Sequence, residues 1–505
     1  MFRTDWMSRW AMYSPEKIAI TEYETGRRLS YRQLNNAANA LAQHLLNDYQ
    51  IGKGDRIAIL AENCLEYFIL FAAAQKSGII LTPINFRLAP REIDYLLRDS
   101  QPTLIIVEEK FSETLQNCEA AASISTRKMQ DLAQWCESVY DVAVDFPADS
   151  PTAEDDPILI LYTSGTTGFP KGALYTHKML FWNSVNTALR LNLTSADRTI
   201  TCAPLFHTGG WNVLSTPFLH RGAYFCLTKN FDADTILQLL DAEAATIFFG
   251  VPTMMKMMAD SPYFETVSLE KLRFCIVGGE AMPIPLIEKW QRKGVPIRQG
   301  YGMTEVGPNL TSLHQDDAIR KKGSIGVPNF YVEIKIVNDA GQEVDSGVPG
   351  ELLVKGPMVT PGYWNNPEAT RETIRDGWFH SGDVVTRDEE GYLYIVDRKK
   401  NMYISGGENV YPVEIEKFLY EHPAVAEVAI IGVPDKKWGE VGKAYIVTKP
   451  GYQLTAEDVL AFCRGKLAKY KIPKHIQFVE ALPKGDTGKI DRKLLLEWHQ
   501  QSQQS

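Results

Sequence analysis

From about residue 55 to residue 300, short apolar runs alternate with longer amphipathic stretches. Arg56–Leu60, Ile79–Thr82, Thr199–Ala203, Tyr224–Leu227, Thr246–Phe249 and Arg273–Val277 have the length and apolar content of buried strands. Leu65–Lys76 and Arg91–Arg98 read as helices, the first with Leu65, Phe68, Ile69 and Ala72 on one face. Strands separated by helix-length segments imply βαβ units and largely parallel, covered sheets. After Gly323 the pattern changes. Val332–Val337, Leu352–Val354 and Tyr392–Val396 are short strands divided by turn clusters such as Asn338-Asp339-Ala340-Gly341, which predicts a small antiparallel barrel or distorted sheet. From Pro412 a helix, a strand through Ile431, a strand at Ala444–Thr448 and a helix at Ala456–Leu467 predict a compact α+β unit. The charged Asp397-Arg398-Lys399-Lys400 is the natural boundary before it. The expected fold class is thus α/β, with βαβ-type sheets and a β-barrel subdomain (about 323–397) in residues 1–397, then an α+β domain over 401–505.

Composition narrows the classes. The 505 residues are 45 % hydrophobic and suffice for two or more cores. The chain carries 53 basic and 62 acidic residues, a net charge of −9, which argues against nucleic acid as a partner. From Asn401 onward there are 14 basic and 13 acidic side chains, so the acidity belongs to the preceding body. No apolar run approaches the ~20 residues of a membrane span, and a secretory leader is not expected at the start. Trp6 and Trp10 leave weak peripheral membrane contact open. The seven cysteines are scattered without C-x-x-C pairs, which fits a reduced, cytoplasmic setting rather than a disulfide or zinc framework.

The chemistry begins where strand Ile158–Tyr162 runs into Thr163-Ser164-Gly165-Thr166-Thr167-Gly168-Phe169-Pro170-Lys171-Gly172. Glycines let backbone N–H groups converge on phosphate oxygens, hydroxyls add donors, and lysine adds charge. The spacing is not that of a Walker A loop, because Pro170 and Gly172 bracket the lysine, which argues against a P-loop kinase or ATPase.

The segment Tyr162–Gly172 resembles the signature loop of the adenylate-forming superfamily of acyl-CoA synthetases, peptide-synthetase adenylation domains and luciferase. Four further family motifs follow in order: Gly300-Tyr301-Gly302-Met303-Thr304-Glu305; Gly377-Trp378-Phe379-His380-Ser381-Gly382-Asp383; Asp397-Arg398 with Ser405-Gly406-Gly407-Glu408-Asn409; and Pro483-Lys484-Gly485-Asp486-Thr487-Gly488-Lys489. The resemblance implies a reaction in two halves. A carboxylate attacks the α-phosphate of ATP to give an acyl-adenylate and pyrophosphate, and a thiol then attacks the acyl carbon. It assigns ATP and AMP binding to Thr163, Ser164, Gly165, Thr166, Thr167, Gly168, Lys171, Gly279, Glu280, Ala281, Gly300, Tyr301, Gly302, Met303, Asp383 and Arg398. Glu305 is the implied Mg²⁺ ligand, Thr304 its neighbour on the α-phosphate, and Lys489 the cation bridging carboxylate and phosphate. The small domain is implied to be mobile about a hinge at 398–400, centred on Lys400, with Gly406, Gly407 and Glu408 lining the thiol channel.

Acid and thiol are less constrained. His207 in Pro204-Leu205-Phe206-His207-Thr208-Gly209-Gly210-Trp211 either orients the carboxylate or is a core histidine. Gly278 and Gly279 would leave a pocket floor open. Trp211 stands where long-chain fatty acyl-CoA synthetases carry a gating tryptophan. No basic residue is obviously placed for a second substrate carboxylate, so the expectation is a hydrophobic acid, fatty acids ahead of benzoate-, cinnamate- or succinylbenzoate-type aryl acids. The Met254-Met255-Lys256-Met257-Met258 run reads as core helix before pocket. Coenzyme A is the expected thiol, with a carrier protein as the alternative. Arg464, Lys466, Lys469, Lys471 and Lys474 would meet its phosphates or be a solvated face. A monomer or homodimer is expected.

Overall fold

The computed structural model describes residues 4–146, 152–163, 170–280, 282–399, 401–405, 408–464, 466–485 and 489–504. Contacts gather the chain into two compact units. One comprises Met1–Lys322, Gly326–Glu333 and Val354–Phe379; the other comprises Gly323–Ile325, Ile334–Leu353 and His380–Ser505.

The first unit holds three sheets. In the six-stranded one the order is Ser125–Lys128, Leu104–Val107, Arg56–Leu60, Ile80–Pro83, Pro157–Thr163 and Lys171–Thr176. All neighbours are parallel except the last pair, an antiparallel hairpin. Arg28–Ser30, Ile18–Glu22, Tyr224–Leu227 and Arg198–Thr201 form a second sheet. The third runs Ile247–Gly250, Phe274–Val277, Ile297–Met303, Gly307–Ser312 and Val327–Pro328, turning from parallel to antiparallel at Ile297–Met303. The alternation read from the sequence is therefore real, with boundaries moved by a residue or two.

Helix Leu65–Ser77 differs from its expected single apolar face. All of its residues are buried, including Glu66, Gln75 and Lys76. It lies against helix Tyr31–Tyr49, helix Met129–Val139 and the strands Ile80–Pro83 and Pro157–Thr163, which leaves no solvent side. Its charges survive because each is paired. Arg27 holds Glu66 at 2.7 Å, and Lys76 Nζ donates to Asp5 Oδ2 at 2.7 Å and Asn35 Oδ1 at 2.8 Å. The Trp6/Trp10 segment packs into the fold. Trp6 is 5 % exposed and stacks on His220, while Trp10 Nε1 donates to the His220 carbonyl. No helix among the described residues is long and apolar enough to cross a membrane. All seven cysteines are buried thiols without disulfides.

His177 opens helix His177–Leu191 and is buried, and neither ring nitrogen meets a hydrogen-bond partner among the described residues. Burial pulls its pKa down to about 4, with Asp156 opposing and Lys53 assisting. The unfolded chain therefore takes up a proton between pH ~6.5 and 4 that the folded chain refuses. Stability is fully present above ~6.5 and is lost as pH falls through that window, by up to roughly 3 kcal/mol. Thermal denaturation at pH 7 and pH 5 tests this: His177→Leu should show a smaller pH-dependent drop in Tm than the wild type, and an unchanged drop would contradict it.

In a sheet whose residues belong mostly to the second unit, Gly350–Lys355 neighbours Glu333–Val337 and Trp378–Arg387, and Leu393–Arg398 pairs antiparallel with Trp378–Arg387. A further sheet is built on the long hairpin Val425–Asp435 and Gly439–Thr448, with Tyr403–Ser405, Glu408–Val410 and the parallel strand His475–Phe478 added. Helices Pro412–Leu419 and Ala456–Cys463 cover one apolar cluster containing Ile415, Val428 and Val459. Contacts do not divide the chain at 397–398. Residues 380–399 belong with the C-terminal elements because side chains cross that point: Val413 N donates to Asp397 Oδ2 at 2.9 Å, and Lys417 Nζ donates to the Ile395 carbonyl at 2.9 Å.

Candidate active site

The motif residues fall into two groups, one in each unit. In the first unit, strand Pro157–Thr163 ends at Thr163, paired with Lys171 across the hairpin. Ser164, Gly165, Thr166, Thr167 and Gly168 lie outside the described residues, as does Ala281. Glu305 sits in the short turn Thr304–Val306 and is 9 % exposed. Its Oε1 accepts two hydroxyls, Thr163 Oγ1 at 3.3 Å and Tyr363 OH at 2.9 Å. The Thr360 amide donates to the Glu305 carbonyl at 2.7 Å. Residues 360–364 are themselves laid along strand Lys171–Thr176, with Leu174 N donating to Gly362 O and Trp364 N to Gly172 O. Lys171 Nζ lies 5.4 Å from the Tyr363 ring centre. The result is a buried carboxylate held beside two hydroxyls, with an ammonium over the Tyr363 ring, at the root of the glycine- and threonine-rich segment.

Tyr301 and Gly300 lie on strand Ile297–Met303, opposite Thr311 and Ser312. A side chain at Gly302 would place its Cβ 2.4 Å from the Gly307 and Pro308 backbone, so the hairpin that carries Tyr301, Met303 and Thr304 closes only with glycine there. Gly278 backs onto the Gly300 carbonyl, 3.3 Å from its would-be Cβ, and Gly279 and Glu280 follow at the end of strand Phe274–Val277. His207 is half-buried, with its ring 4.5 Å from that of Phe206. A Cβ at Gly210 would lie 2.4 Å from the Pro204 carbonyl, so this segment coils back tightly on itself. Trp211 is fully buried among Tyr67, Phe68 and Phe71, and its Nε1 donates to the Leu205 carbonyl. Phe249 stands beside Gly209 at 3.4 Å from where a Cβ would be. Of the methionine run, Met255 and Met258 are core residues and Met257 is exposed.

In the second unit, Asp383 and Arg398 face each other on adjacent strands and form an ion pair at 2.8 Å. Asp383 is 3 % exposed, whereas the Arg398 side chain is half-exposed. Lys399 pairs with Asp339 at 2.8 Å. Lys489 is exposed, and its carbonyl accepts the Gly485 amide at 2.8 Å. Glu408 is exposed beside Ser405, while Lys400, Gly406 and Gly407 lie outside the described residues. Much of the basic run is already engaged within the unit: Lys471 with Glu414, Lys474 with Asp435, Arg464 with Glu457, and Lys466 over the Phe462 ring.

Residues 7–364 match the family model of the AMP-binding enzymes, and residues 414–489 match that of the AMP-binding enzyme C-terminal domain. The chain belongs to the AMP-binding enzyme family. Within it, this AMP-binding enzyme is an AMP-forming acid–thiol ligase of the acyl-CoA synthetase branch. It is 40 % identical over 485 residues to a feruloyl-CoA synthase of Amycolatopsis sp, covering 96 % of each chain. It is 36 % identical over 498 residues to the long-chain-fatty-acid–CoA ligase FadD13 of Mycobacterium tuberculosis, covering 97 % of each. The structure of the o-succinylbenzoate coenzyme A synthetase of Bacillus subtilis, in complex with ATP and magnesium ion, superposes with a TM-score of 0.86 at 32 % identity, covering 97 % of this chain and 99 % of that one.

Sequence reading of this AMP-binding enzyme passed over Tyr363 and Thr360. The turn Thr360-Pro361-Gly362-Tyr363 was the available signal, but nothing local to it says that a phenol 58 positions from Glu305 will bond that carboxylate.

Proposed function

We propose that this ligase activates an aromatic carboxylic acid, through its acyl-adenylate, to the thioester of coenzyme A, with release of AMP and pyrophosphate. The observation that carries the choice of acid is the state of Trp211. The case for fatty acids rested on a tryptophan free to gate an acyl tunnel. This one is fully buried, with its N–H on a backbone carbonyl and three aromatic rings around it. Moving it would open a large core void at a cost of several kcal/mol. Phe249 beside Gly209 offers a flat apolar wall next to the His207 segment, suited to an aryl ring. Similarity to the feruloyl-CoA synthase supports the same choice.

Glu305 has the chemistry to hold Mg²⁺, a hard cation that takes carboxylate oxygen and keeps its remaining places for phosphates and water. Among the described residues no cluster of three ligating side chains exists, which fits such a sparse protein share. When bound, the cation would offset charge on the ATP phosphates. Thr163 and Tyr363 fix the Glu305 carboxylate through their hydroxyls, and Lys171 adds positive charge from strand Lys171–Thr176. Within this proposal Asp383 takes the ribose hydroxyls, Arg398 the ribose or phosphate, Lys489 the charge developing at the α-phosphate, and residues 398–400 the hinge.

Pyrophosphate release across a panel of cinnamic, benzoic and arylacetic acids and saturated fatty acids tests the acid. Aryl acids should exceed every fatty acid in kcat/KM by at least about tenfold, roughly 1.4 kcal/mol in transition-state binding. A fatty acid at the head of the panel would overturn this choice while leaving the ligase assignment in place.

A further inference from the structure

Arg298 lies in strand Ile297–Met303, 2 % exposed, and has no carboxylate within ion-pair distance among the described residues. Its Nε donates to the Leu313 carbonyl at 2.9 Å, its Nη2 to the Arg190 carbonyl at 3.1 Å, and its guanidinium sits 4.7 Å from the Phe274 ring centre. A guanidinium carries five N–H donors, and those carbonyls take two. Arg190 is close by, bonded to Ser312 through Nε and Nη2 at 3.2 Å each. Burial, with Arg190 and Arg273 adding to it, pulls Arg298 down to about 9. Asp316 offsets this only in part, and a buried cation with donors left over is expensive unless something brings it a further acceptor.

The side chain borders a small cavity whose other walls include Thr187, Gly300, Asn309, Ser312 and Asn329. There is room for a group about the size of a water molecule, and the lining is mixed, with Leu191 and Ile276 standing beside the polar groups. Two of its walls touch the segments expected to line the acyl pocket. Gly300 precedes Tyr301 and backs onto Gly278. Asn309 Nδ2 donates to the carbonyls of Asn212 and Val213, in the coil that follows His207.

We propose that this cavity receives a hydroxyl carried on the acyl group at the end remote from the reacting carboxyl, and that Arg298 is a specificity-determining residue for it. The inference rests on the ligase assignment and deepens the choice of acid. A hydroxyl oxygen accepts from the guanidinium and its proton goes to an amide or hydroxyl oxygen of the lining, so both partners are satisfied within one-atom space. A bare C–H at that place would leave the guanidinium with its two backbone carbonyls and no further acceptor, and sites built to bond a substrate hydroxyl reject the analogue lacking it. A carboxylate would satisfy the charge but exceeds the space, so it should be the poorer substituent.

The test uses matched pairs on the full-length enzyme: para-hydroxycinnamic against cinnamic acid, and ω-hydroxydecanoic against decanoic acid, with para-carboxycinnamic acid as a third arm. In the better-used pair, the hydroxylated member should lead by about thirtyfold or more in kcat/KM. Arg298→Gln should collapse that ratio to within about threefold, and Arg298→Lys should keep part of it. Equal use of both members by the wild type would overturn the inference, and so would an Arg298→Gln enzyme that slows on both while keeping the ratio. The wild-type ratio decides the matter even if Arg298→Gln does not fold. A chain pair outrunning the ring pair refutes the aryl choice alone, because the hydroxyl ratio is read within each pair.

Discussion

Lys489→Ala should lower acid-dependent pyrophosphate release by at least about a hundredfold to a thousandfold, while CoA thioester formation from supplied acyl-adenylate stays within about threefold of wild type. The reason is the timing of charge. Adenylation brings a carboxylate onto a polyphosphate, so a point cation near the α-phosphate stabilises the transition state more than the ground state. Thioester formation starts from an adenylate already made and gains little from it. The variant is structurally mild. Lys489 is exposed, and the chain around it is tied down by the Gly485–Lys489 bond and the Lys484–Ile490 bridge. Beyond it, helix Arg492–Gln504 buries Leu495 against the strand Val425–Asp435. Truncating such a surface side chain shifts stability by about 0.5 kcal/mol or less. Equal loss in both half-reactions would remove Lys489 from the role assigned to it.

Glu305→Gln should be comparably severe for adenylation, about a thousandfold, and raising the Mg²⁺ concentration should not restore the rate. Glutamine keeps an Oε1 that can still accept the Thr163 and Tyr363 hydroxyls, so the local bonding survives while the charge is lost. Its Tm should therefore move by only a few degrees, which separates a chemical defect from unfolding. Tyr363→Phe removes one of the two hydroxyls that aim the carboxylate and should cost about tenfold, because the charge remains and only its placement loosens. A Glu305→Gln enzyme retaining most of its pyrophosphate release would show that this carboxylate is structural.

Much of the site was legible in one dimension because its parts are contiguous. Thr163 to Gly172 is a short segment whose glycines, hydroxyls and lysine already suit a phosphate, while Gly300 to Glu305 and the motif ending in Lys489 are short segments read through their family resemblance. The parallel sheets were legible for a similar reason, since a strand buried on both faces must be apolar along its whole length. Helix Leu65–Ser77 shows where that logic stops. Its apolar face was visible, but the burial of Glu66 and Lys76 depends on partners at Arg27 and Asp5, far along the chain.

The chain by itself determined the alternation that builds the sheets and, through the motifs it shares with its family, the class of reaction. Only the tertiary structure decided that Trp211 is fully buried among aromatic rings, that Tyr363 aims Glu305, and that residues 380–399 belong with the C-terminal elements. It also revealed that Arg298 is a buried cation beside a small cavity, which nothing in its own strand announces. The physical reason is common to all four. Periodicity and composition report what a segment can do alone, whereas burial, pairing and the room left between side chains are set by segments tens to hundreds of residues away.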